Sequence, residues 1–384
     1  MRPHYFLNNH LVLTCCTLGN WKNLYFVAPQ VQLALKVRRT RCQTMYQYLR
    51  PLIFKLDPER AHNLTVGLLR LAGSLPPVRA FLRRIYASRR QRPVEVFGLT
   101  FPNHVGLAAG YDKDGLAWRG LTTLGFGHIE VGTVTPLPQA GNAQPRVFRI
   151  PTEEAVINRM GFPGRGADFV ARQLSPVSRP PSPVILGVNI GKNKDTPNEE
   201  AARDYLFLLE KFAPLADYLA VNVSSPNTVG LRRLQAREAL EDLLAQLAEA
   251  RRQSPVPRPI LVKLAPDLTS AELDDALGAI MDTGMDGVIA TNTTIGRDGL
   301  RSPVGEERGG LSGLPLRRRS TEMVRQIHLR TNGRLPIIGV GGIASPSDAQ
   351  EKLDAGASLV QVYTGMIYNG PGLAREIVRQ GVSD

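Results

Sequence analysis

Amide and hydroxyl side chains lie at the ends of several short apolar runs in this 384-residue chain. Asn189 lies near the end of VILGVNIG, Ser225 ends YLAVNVSS, and Asn292 lies near the end of GVIATNT. Neither His nor a pair of carboxylates occupies such positions, which argues against a His- or dicarboxylate-dependent hydrolase and against a zinc site. Planar groups that both donate and accept hydrogen bonds suit a flat ligand with several polar edges, such as a flavin ring or a pyrimidine.

Eight such apolar runs alternate with helical segments over residues 93–384. The runs are VGLAAG, HIEVGTV, VILGVNIG, YLAVNVSS, ILVKLAP, GVIATNT, PIIGVGGI and LVQVYTG, and the helical segments include 237–253, 270–282, 320–331 and 347–355. This pattern predicts an α/β fold, a closed (β/α)8 TIM barrel preceded by a short hairpin at VEVFGLTF. A doubly wound open sheet is the alternative. We favour the barrel because polar residues or glycines end almost every run, as expected if the strand ends meet at one site.

Glycines follow the last two predicted strands, where barrels commonly bind phosphate. Gly341 and Gly342 follow the seventh strand, and Tyr363, Thr364 and Gly365 follow the eighth. Glycine allows backbone N–H groups to approach phosphate oxygens closely. A tight turn explains each glycine equally well, so these residues predict either a phosphate-bearing ligand or simple turns.

A helical appendage over residues 45–92 precedes the barrel. Asp57 is a favourable N-cap and Pro58 suits the first helical turn, so we expect a helix that ends near Gly73. An amphipathic stretch comes before it, and the two helices are expected to form a hairpin with a basic rim. The arginines of this rim are Arg70, Arg79, Arg83, Arg84, Arg89, Arg90 and Arg92. Apolar surface beside cations is typical of helices that associate with membranes, whereas a helical cap on a neighbouring domain is the alternative.

The basic residues are concentrated towards the N-terminal end. The net charge is +13, with 47 Lys and Arg against 34 Asp and Glu, and the first acidic residue is Asp57. Residues 1–44 hold all three cysteines, Cys15, Cys16 and Cys42. We interpret this segment as a disordered leader, an extension upstream of a working start at Met45, or a mitochondrial-type targeting peptide. The charge indicates a phospholipid surface or a phosphate ligand and not nucleic acid, because aromatic and basic residues do not interleave.

Ten motifs in a fixed order make the sequence similar to one enzyme family. They are LDPERAH, GLAAGYDKDG, EVGTVTPLPQAGNAQPR, INRMGF, NIGKNK, NVSSPNTVGLR, VKLAPD, IATNTT, GGLSG and IIGVGGI. Over residues 45–384 the chain resembles dihydroorotate dehydrogenase of the membrane-bound, quinone-reducing class. The resemblance implies a barrel that holds FMN and oxidises (S)-dihydroorotate to orotate in pyrimidine synthesis.

The resemblance also implies roles for individual residues. Ser225, the second serine of NVSSPNT, occupies the position of the family's catalytic base. The implied FMN contacts are Ala109, Gly110, Tyr111, Asp112, Lys113, Thr133, Asn189, Asn222, Lys263, Thr291, Gly313, Gly342, Tyr363 and Thr364. The implied dihydroorotate contacts are Lys113, Asn158, Arg159, Met160, Gly161, Phe162, Asn222, Asn227, Asn292 and Thr293. We expect Lys263 near N1 and O2 of the isoalloxazine, where a cation stabilises reduced flavin.

The sequence favours the membrane class over the soluble class of this family. Soluble members use a cysteine as the base, and residues 45–384 contain none. In membrane-class relatives the helical pair forms the tunnel through which quinone reaches the flavin. We therefore expect the appendage to bind ubiquinone or a related quinone and a phospholipid surface, rather than to serve as a plain cap. We expect a monomer on the cytoplasmic face of a bacterial inner membrane, or on the mitochondrial inner membrane if residues 1–44 are a targeting peptide.

Two other functions are compatible with the sequence. One is an FMN-dependent barrel oxidoreductase that acts on a different cyclic substrate. The other is a non-catalytic phosphate- or nucleotide-binding barrel that uses the basic surface, including Arg317, Arg318 and Arg319. An orotate-induced change in the flavin spectrum would separate the expected activity from that of another FMN-dependent oxidoreductase.

Overall fold

Three helices open the described part of the chain, which in this computed structural model comprises residues 41–88, 92–175 and 183–380. They are α1 (Arg41–Ile53), α2 (Pro58–Ser74) and α3 (Pro76–Tyr86). Within the described ranges, no helix has the length and apolar character needed to span a membrane. Most of the predicted leader, and two arginines of the predicted basic rim, lie outside the described residues; these are residues 1–40, Arg89 and Arg90.

The helical region agrees with the predicted cap of α2 and differs from the prediction elsewhere. The Asp57 carboxylate accepts hydrogen bonds from the N–H groups of the first turn of α2, both at 3.0 Å. However, α1 begins at Arg41, before the predicted boundary at Met45. The expected pair of helices is also wrong, because α3 follows as a third helix. Its first turn contains Pro76 and Pro77, and proline fits there because the first N–H groups of a helix have no intrahelical partner.

A parallel barrel follows the hairpin of β1 (Val94–Val96) and β2 (Leu99–Phe101). Its strands are β3 (Val105–Leu107), β4 (His128–Val134), β7 (Ile185–Ile190), β8 (Tyr218–Asn222), β9 (Ile260–Leu264), β10 (Gly287–Ala290), β12 (Ile337–Val340) and β13 (Leu359–Val362). The barrel closes in the order β10-β12-β13-β3-β4-β7-β8-β9, with every pair parallel. Each of the eight predicted runs forms one barrel strand, so the predicted (β/α)8 TIM barrel is confirmed.

Helices connect the barrel strands on the outside. They are α4 (Trp118–Leu121), α5 (Ala167–Leu174), α6 (Ala201–Phe212), α7 (Arg237–Gln253), α8 (Ser270–Asp282), α9 (Arg317–Arg330), α10 (Pro346–Asp354), α11 (Thr364–Asn369) and α12 (Leu373–Gln380). The predicted segments 237–253 and 270–282 coincide with α7 and α8. In contrast, α9 begins three residues before the predicted 320.

A three-stranded antiparallel sheet was not predicted. Its strands are β5 (Val147–Ile150), β6 (Ala155–Asn158) and β11 (Gly310–Gly313), in the order β11-β6-β5. In the chain, β5 and β6 follow the carboxyl end of β4, and β11 follows that of β10. The insertions therefore extend the face of the barrel on which such folds carry their sites.

Close backbone contacts and hydrogen bonds attach the N-terminal helices to the barrel. A Cβ atom at Gly120 of α4 would lie 2.2 Å from the carbonyl oxygen of Leu69, and one at Gly73 would lie 2.6 Å from the Gly120 nitrogen. Only glycine allows α2 and α4 to pack this closely. The Tyr46 hydroxyl of α1 donates to the Ile367 carbonyl of α11 at 2.6 Å. Both α1 and α2 are thereby held at the barrel.

Candidate active site

A cavity of about 440 Å³ joins the carboxyl ends of the barrel strands to α1 and α2. At the barrel end its lining includes Thr133, Asn222, Ser225, Lys263, Thr291, Asn292, Gly341 and Tyr363. At the helical end the lining comprises Tyr46, Ile53, Phe54, Pro58, Glu59, Ala61, His62, Thr65, Leu68 and Leu69. The cavity therefore lies where TIM barrels place their sites, and the helical region supplies one of its walls.

Three amides and a threonine form a hydrogen-bonded row across the barrel end. The Thr133 hydroxyl donates to Asn189 Oδ1 at 2.6 Å, and Asn222 Nδ2 donates to Thr133 Oγ1 at 2.9 Å. Asn292 Nδ2 donates to Asn222 Oδ1 at 3.2 Å and to Ser224 Oγ at 3.0 Å. Because its neighbours hold each group, this amide row presents donors and acceptors in fixed directions.

A buried ion pair adjoins the amide row. Lys263 Nζ lies 3.4 Å from Glu130 Oε1, and the two side chains are 6% and 0% exposed. Glu130 also accepts hydrogen bonds from Asn189 at 2.8 Å, Gln361 at 3.0 Å and Tyr218 at 3.1 Å. Burial raises the pKa of Glu130, but the charge of Lys263 and these hydrogen bonds together bring that pKa below its ordinary value. Glu130 is therefore an ionised, acceptor-only group in the barrel interior.

The loop after β8 brings a serine and an asparagine into the cavity. Ser225 is 5% exposed, and its Oγ accepts the Asn227 backbone N–H at 3.3 Å. Asn227 Nδ2 donates to Asn158 Oδ1 at 3.2 Å, which links this loop to the end of β6. Thr228 Oγ1 is buried and has no hydrogen-bond partner within the described residues. A hydroxyl and two amides thus lie together, where they can form hydrogen bonds with a small polar molecule.

The loop after β3 carries a lysine whose pKa is lowered by burial. Lys113 Nζ donates to the Gly110 carbonyl at 2.5 Å, and burial lowers the pKa of Lys113 to about 8. The Asp112 carboxylate accepts the N–H groups of Leu116 and Ala117, both at 2.8 Å, and burial raises the pKa of Asp112 to about 6. Asp112 therefore shapes the loop, whereas Lys113 lines the cavity.

Glycines with no space for a side chain form one edge of the cavity. Gly313 has φ +98°, and a Cβ atom there would lie 2.2 Å from a backbone oxygen. Gly342 has φ +71°, and a Cβ atom there would lie 2.4 Å from the backbone of α9. The hydroxyls of Ser312 and Thr364 lie 2.8 Å apart beside them. Backbone N–H groups and hydroxyls on such an edge can bind an anion such as phosphate.

The helical end combines aromatic rings with one ion pair. The His62 and Tyr111 rings meet edge to face with centroids 5.1 Å apart, and burial lowers the pKa of His62 to about 3. His62 is therefore neutral at physiological pH. Arg146 binds Glu59 of α2 at 2.7 Å, with the side chains 10% and 12% exposed. This pair ties the helical wall to the loop before β5.

A protein-family model described as dihydroorotate dehydrogenase matches residues 92–382. The chain belongs to the dihydroorotate dehydrogenase family. The dihydroorotate dehydrogenase (quinone) of Acidithiobacillus ferrooxidans is 52% identical over 344 residues, covering 87% of this chain and 94% of that protein. The protein of the same name from a Roseiflexus species is 50% identical over 341 residues, covering 88% and 94%. The expected family and the expected enzyme class are thereby confirmed.

A solved structure of the family has the same fold. The crystal structure of DHODH from Eimeria tenella in complex with ferulenol gives a TM-score of 0.78 at 40% identity, covering 86% of this chain and 93% of that one. The structural similarity therefore covers more of the chain than the predicted barrel over residues 93–384 alone.

Most residues that the motifs assign to a dihydroorotate dehydrogenase site line the cavity. The lining residues from the predicted FMN set are Ala109, Gly110, Tyr111, Lys113, Thr133, Asn222, Lys263, Thr291, Gly313, Gly342, Tyr363 and Thr364. Those from the predicted substrate set are Lys113, Asn158, Met160, Gly161, Phe162, Asn222, Asn227, Asn292 and Thr293. The predicted base, Ser225, lies among them.

Three of the predicted residues do not line the cavity. Asp112 holds the backbone of its own loop, and Asn189 is fully buried with its amide bonded to Thr133 and Glu130. Arg159 pairs with a glutamate of the loop before β11 at 2.5 Å and donates to the Pro145 carbonyl at 2.9 Å. A motif gives the position of a residue along the chain, but the direction of a loop side chain depends on neighbours that are distant in sequence.

Several residues of the site were not predicted from the sequence. Glu130 could have been found, because an acidic residue within the apolar run HIEVGTV indicates a buried charge that needs a partner. Gln361 and Ser312 carry no such signal, since their positions depend on pairing between distant strands. The same holds for Arg149, whose guanidinium lies 4.5 Å from the centre of the Phe54 ring at the helical wall.

Proposed function

We propose that this protein oxidises (S)-dihydroorotate to orotate with bound FMN as hydride acceptor and a quinone as final electron acceptor. The relatives described above are quinone-dependent dihydroorotate dehydrogenases, and family membership gives this chain their reaction in de novo pyrimidine synthesis. The main support for the residue roles is the continuous cavity, which has Ser225, the amide row and Lys263 at one end and the helical wall at the other.

The groups that line the cavity fit FMN. Gly313 and Gly342 line the cavity without side chains, so phosphate oxygens can approach the backbone N–H groups at this edge. Gln361 Oε1 is buried and lacks a hydrogen-bond partner within the described residues, and the FMN ring has an N–H group that can donate to it. Lys263 offers a positive charge, which favours reduced flavin. When bound, FMN would supply the acceptor for the hydride from substrate C6.

We assign further contacts with FMN to residues that surround these groups. They are Ala109, Gly110, Tyr111, Lys113, Thr133, Asn222, Thr291, Tyr363 and Thr364. Asn189 would act on the cofactor through Thr133, whose hydroxyl it holds at 2.6 Å. Asp112 would act through the conformation of the loop that carries Lys113.

We assign the role of base to Ser225. Oxidation of dihydroorotate removes a proton from C5 and a hydride from C6. Ser225 Oγ would accept the C5 proton while its own hydroxyl proton passes to a hydrogen-bonded partner or a water relay. A neutral hydroxyl is a weak base, so the proton must be made more acidic by donors at the adjacent C4 carbonyl. Ser225 meets the geometric requirement because it lines the cavity beside amides that can act as such donors.

We assign substrate recognition to the amides and Lys113. Asn158 at the end of β6, Asn227 in the loop after β8 and Asn292 in the loop after β10 all line the cavity. Their planar groups can bind the ring amides and the carboxylate of dihydroorotate. The Lys113 ammonium is charged below about pH 8 and attracts the carboxylate. Thr293 and the run from Met160 to Phe162 would complete the contact surface.

We assign quinone entry and membrane binding to the helical region. Ten large apolar side chains on residues 45–81 are 42–78% exposed; they are Met45, Tyr48, Leu49, Leu52, Leu56, Leu64, Leu68, Leu71, Leu75 and Phe81. Exposed arginines Arg70, Arg83 and Arg84 lie on the same helices. Such a surface can enter a headgroup region while its cations attract anionic lipid. We therefore propose peripheral membrane attachment of a monomer, with the quinone entering between α1 and α2.

A combined flavin and turnover assay tests the proposed function. The purified protein should carry one FMN per chain, identified by mass after release. Orotate should perturb its visible spectrum, and dihydroorotate should reduce a soluble quinone analogue. Protein without FMN would exclude the proposed cofactor. Bound FMN that neither orotate nor dihydroorotate affects would indicate a different cyclic substrate.

A further inference from the structure

An arginine closes the loop that carries Ser225. Arg232 follows this loop, and its Nε donates to the Ser224 carbonyl at 3.0 Å. The residues between the two ends include Val229, which is 88% exposed. The ends of the loop are thus fixed to each other while its tip projects into solvent. Arg232 itself does not line the cavity.

The same guanidinium reaches the loops after the two neighbouring strands. Its Nη1 donates to Asp267 Oδ2 after β9 at 2.8 Å, and its Nη2 donates to the Thr293 carbonyl after β10 at 2.9 Å. Because β8, β9 and β10 are adjacent in the barrel, one planar group joins three consecutive loops. One of these loops holds Ser225, and another holds Asn292.

Asp267 is in turn fixed by several donors. Its carboxylate accepts the Ile295 N–H at 3.0 Å and the Thr294 hydroxyl, and Arg319 Nη1 lies 3.3 Å from it. The side chain is 11% exposed, and that of Arg232 is 22% exposed. The Arg232–Asp267 pair is therefore partly shielded from water and anchored to the chain on both sides, which makes its geometry well defined.

We propose that Arg232, held by Asp267, is a positioning residue that sets the distance between Ser225 and the substrate-binding group Asn292. Its contacts are to backbone atoms beside these residues, at Ser224 and Thr293, so it acts through them and touches no substrate. This inference rests on the proposed function, because it takes Ser225 as the base. Proton transfer requires close approach of the base to the substrate, so a loop shift slows that step more than it weakens cofactor binding.

Lysine cannot replace arginine in this role. The three acceptors lie around the planar guanidinium of Arg232. A lysine ammonium can pair with Asp267, but because its side chain is flexible it does not also bind the two carbonyls in fixed directions. Arg232→Lys therefore keeps the charge and loses the geometry. Asp267→Asn retains the arginine and removes the carboxylate charge that orients its guanidinium. Arg237→Lys is the control, because Arg237 likewise forms an ion pair, but with carboxylates of α7 and α8 instead of a loop of the site.

The test measures the two half-reactions separately in the FMN-bound protein. Under anaerobic conditions, saturating dihydroorotate should reduce the flavin about tenfold more slowly in Arg232→Lys and in Asp267→Asn than in wild type. Reoxidation of the reduced flavin by a quinone analogue should stay within about twofold, as should both rates in Arg237→Lys. The double variant should be little slower than either single variant, since both disrupt one contact.

Two results would overturn the inference. One is a flavin reduction rate within about twofold of wild type in both single variants. The other is an equal slowing of both half-reactions with a lowered melting temperature, which indicates a general structural role. If Arg232→Lys does not fold, Asp267→Asn alone decides the question. A wild-type flavin that dihydroorotate does not reduce would instead contradict the proposed function.

Discussion

The two ends of the cavity are built from different interactions. At the barrel end, Asn222 forms hydrogen bonds with both Thr133 and Asn292. Glu130 accepts hydrogen bonds from side chains of three other strands and forms an ion pair with Lys263 of a fourth. At the helical end, apolar and aromatic side chains form most of the wall, and Leu68 is both part of this wall and 57% exposed. One end is a fixed polar site, and the other is an apolar passage that continues to the surface.

This difference matches the chemistry that the two ends would serve. Hydride and proton removal from dihydroorotate requires donors and a base in fixed directions, which a hydrogen-bonded network supplies. A quinone is largely apolar, so its path needs apolar area and access from a membrane more than directed hydrogen bonds. Substitutions at one end should therefore affect one half-reaction and leave the other unchanged.

Ser225→Ala should give the largest effect. Flavin reduction by dihydroorotate should fall by at least about 100-fold because the proposed proton acceptor is lost. FMN content and reoxidation by quinone should be retained, since Ser225 lies at the polar end. Rapid anaerobic mixing measures the first rate, and absorbance of the released flavin measures the content. A variant that keeps the wild-type reduction rate would exclude Ser225 as the base.

Glu59→Gln should weaken the attachment of the helical wall. It leaves Arg146 largely buried without its counter-charge, so the free energy of unfolding should fall by about 2 kcal/mol. Denaturant unfolding measures this change. Glu322→Gln is the control, because its pair with Arg325 is exposed and should contribute less than about 0.5 kcal/mol. Equal losses in both variants would show that the Arg146 pair has no special role.

Leu71→Glu should weaken membrane binding about tenfold. Leu71 is 59% exposed on α2, and burial of a leucine side chain in lipid contributes about 1.5–3 kcal/mol. Co-sedimentation with anionic phospholipid vesicles measures the affinity. Leu329→Glu is matched to it, since Leu329 is 60% exposed on α9 away from the helical region. If Leu329→Glu weakened binding as much, the helical surface would not be the attachment site.

Orotate affinity should fall at alkaline pH. Burial lowers the pKa of Lys113 to about 8, so the ammonium proposed to attract the orotate carboxylate is lost as pH rises through that value. The dissociation constant should rise at most about tenfold per pH unit above it. Flavin absorbance titrations at about pH 7 and 9 measure this trend, and Lys113→Arg should move it to higher pH. Equal affinity at both values would remove Lys113 from carboxylate binding.

The sequence contained enough information to predict the barrel and most residues of its polar end. Asn222, Ser225 and Asn292 follow apolar strands, and in a closed parallel barrel the carboxyl ends of all strands meet on one face. Asp57 and Pro58 similarly marked the start of α2, because capping is a local interaction. These predictions depended on neighbours within a few residues or on the general geometry of the fold.

Features that depend on distant contacts were not predictable in this way. The sheet of β5, β6 and β11 forms between segments about 150 residues apart, and its short strands have no distinctive pattern. The side chain of Arg159 turns towards a partner in another insertion, although its motif placed it beside the substrate. The third helix was missed because Pro76 and Pro77 can either follow a helix or begin one.

The separate roles of the two ends of the cavity are tested most directly by sequential anaerobic mixing of FMN-bound protein, first with dihydroorotate and then with a quinone analogue. Leu68→Trp narrows the helical passage, whereas Leu64→Trp changes an exposed leucine of α2 that does not line the cavity. We predict that Leu68→Trp slows only reoxidation, that Ser225→Ala slows only reduction, and that Leu64→Trp changes neither. Slowing of the same half-reaction by Leu68→Trp and Ser225→Ala would contradict the separation of the two ends.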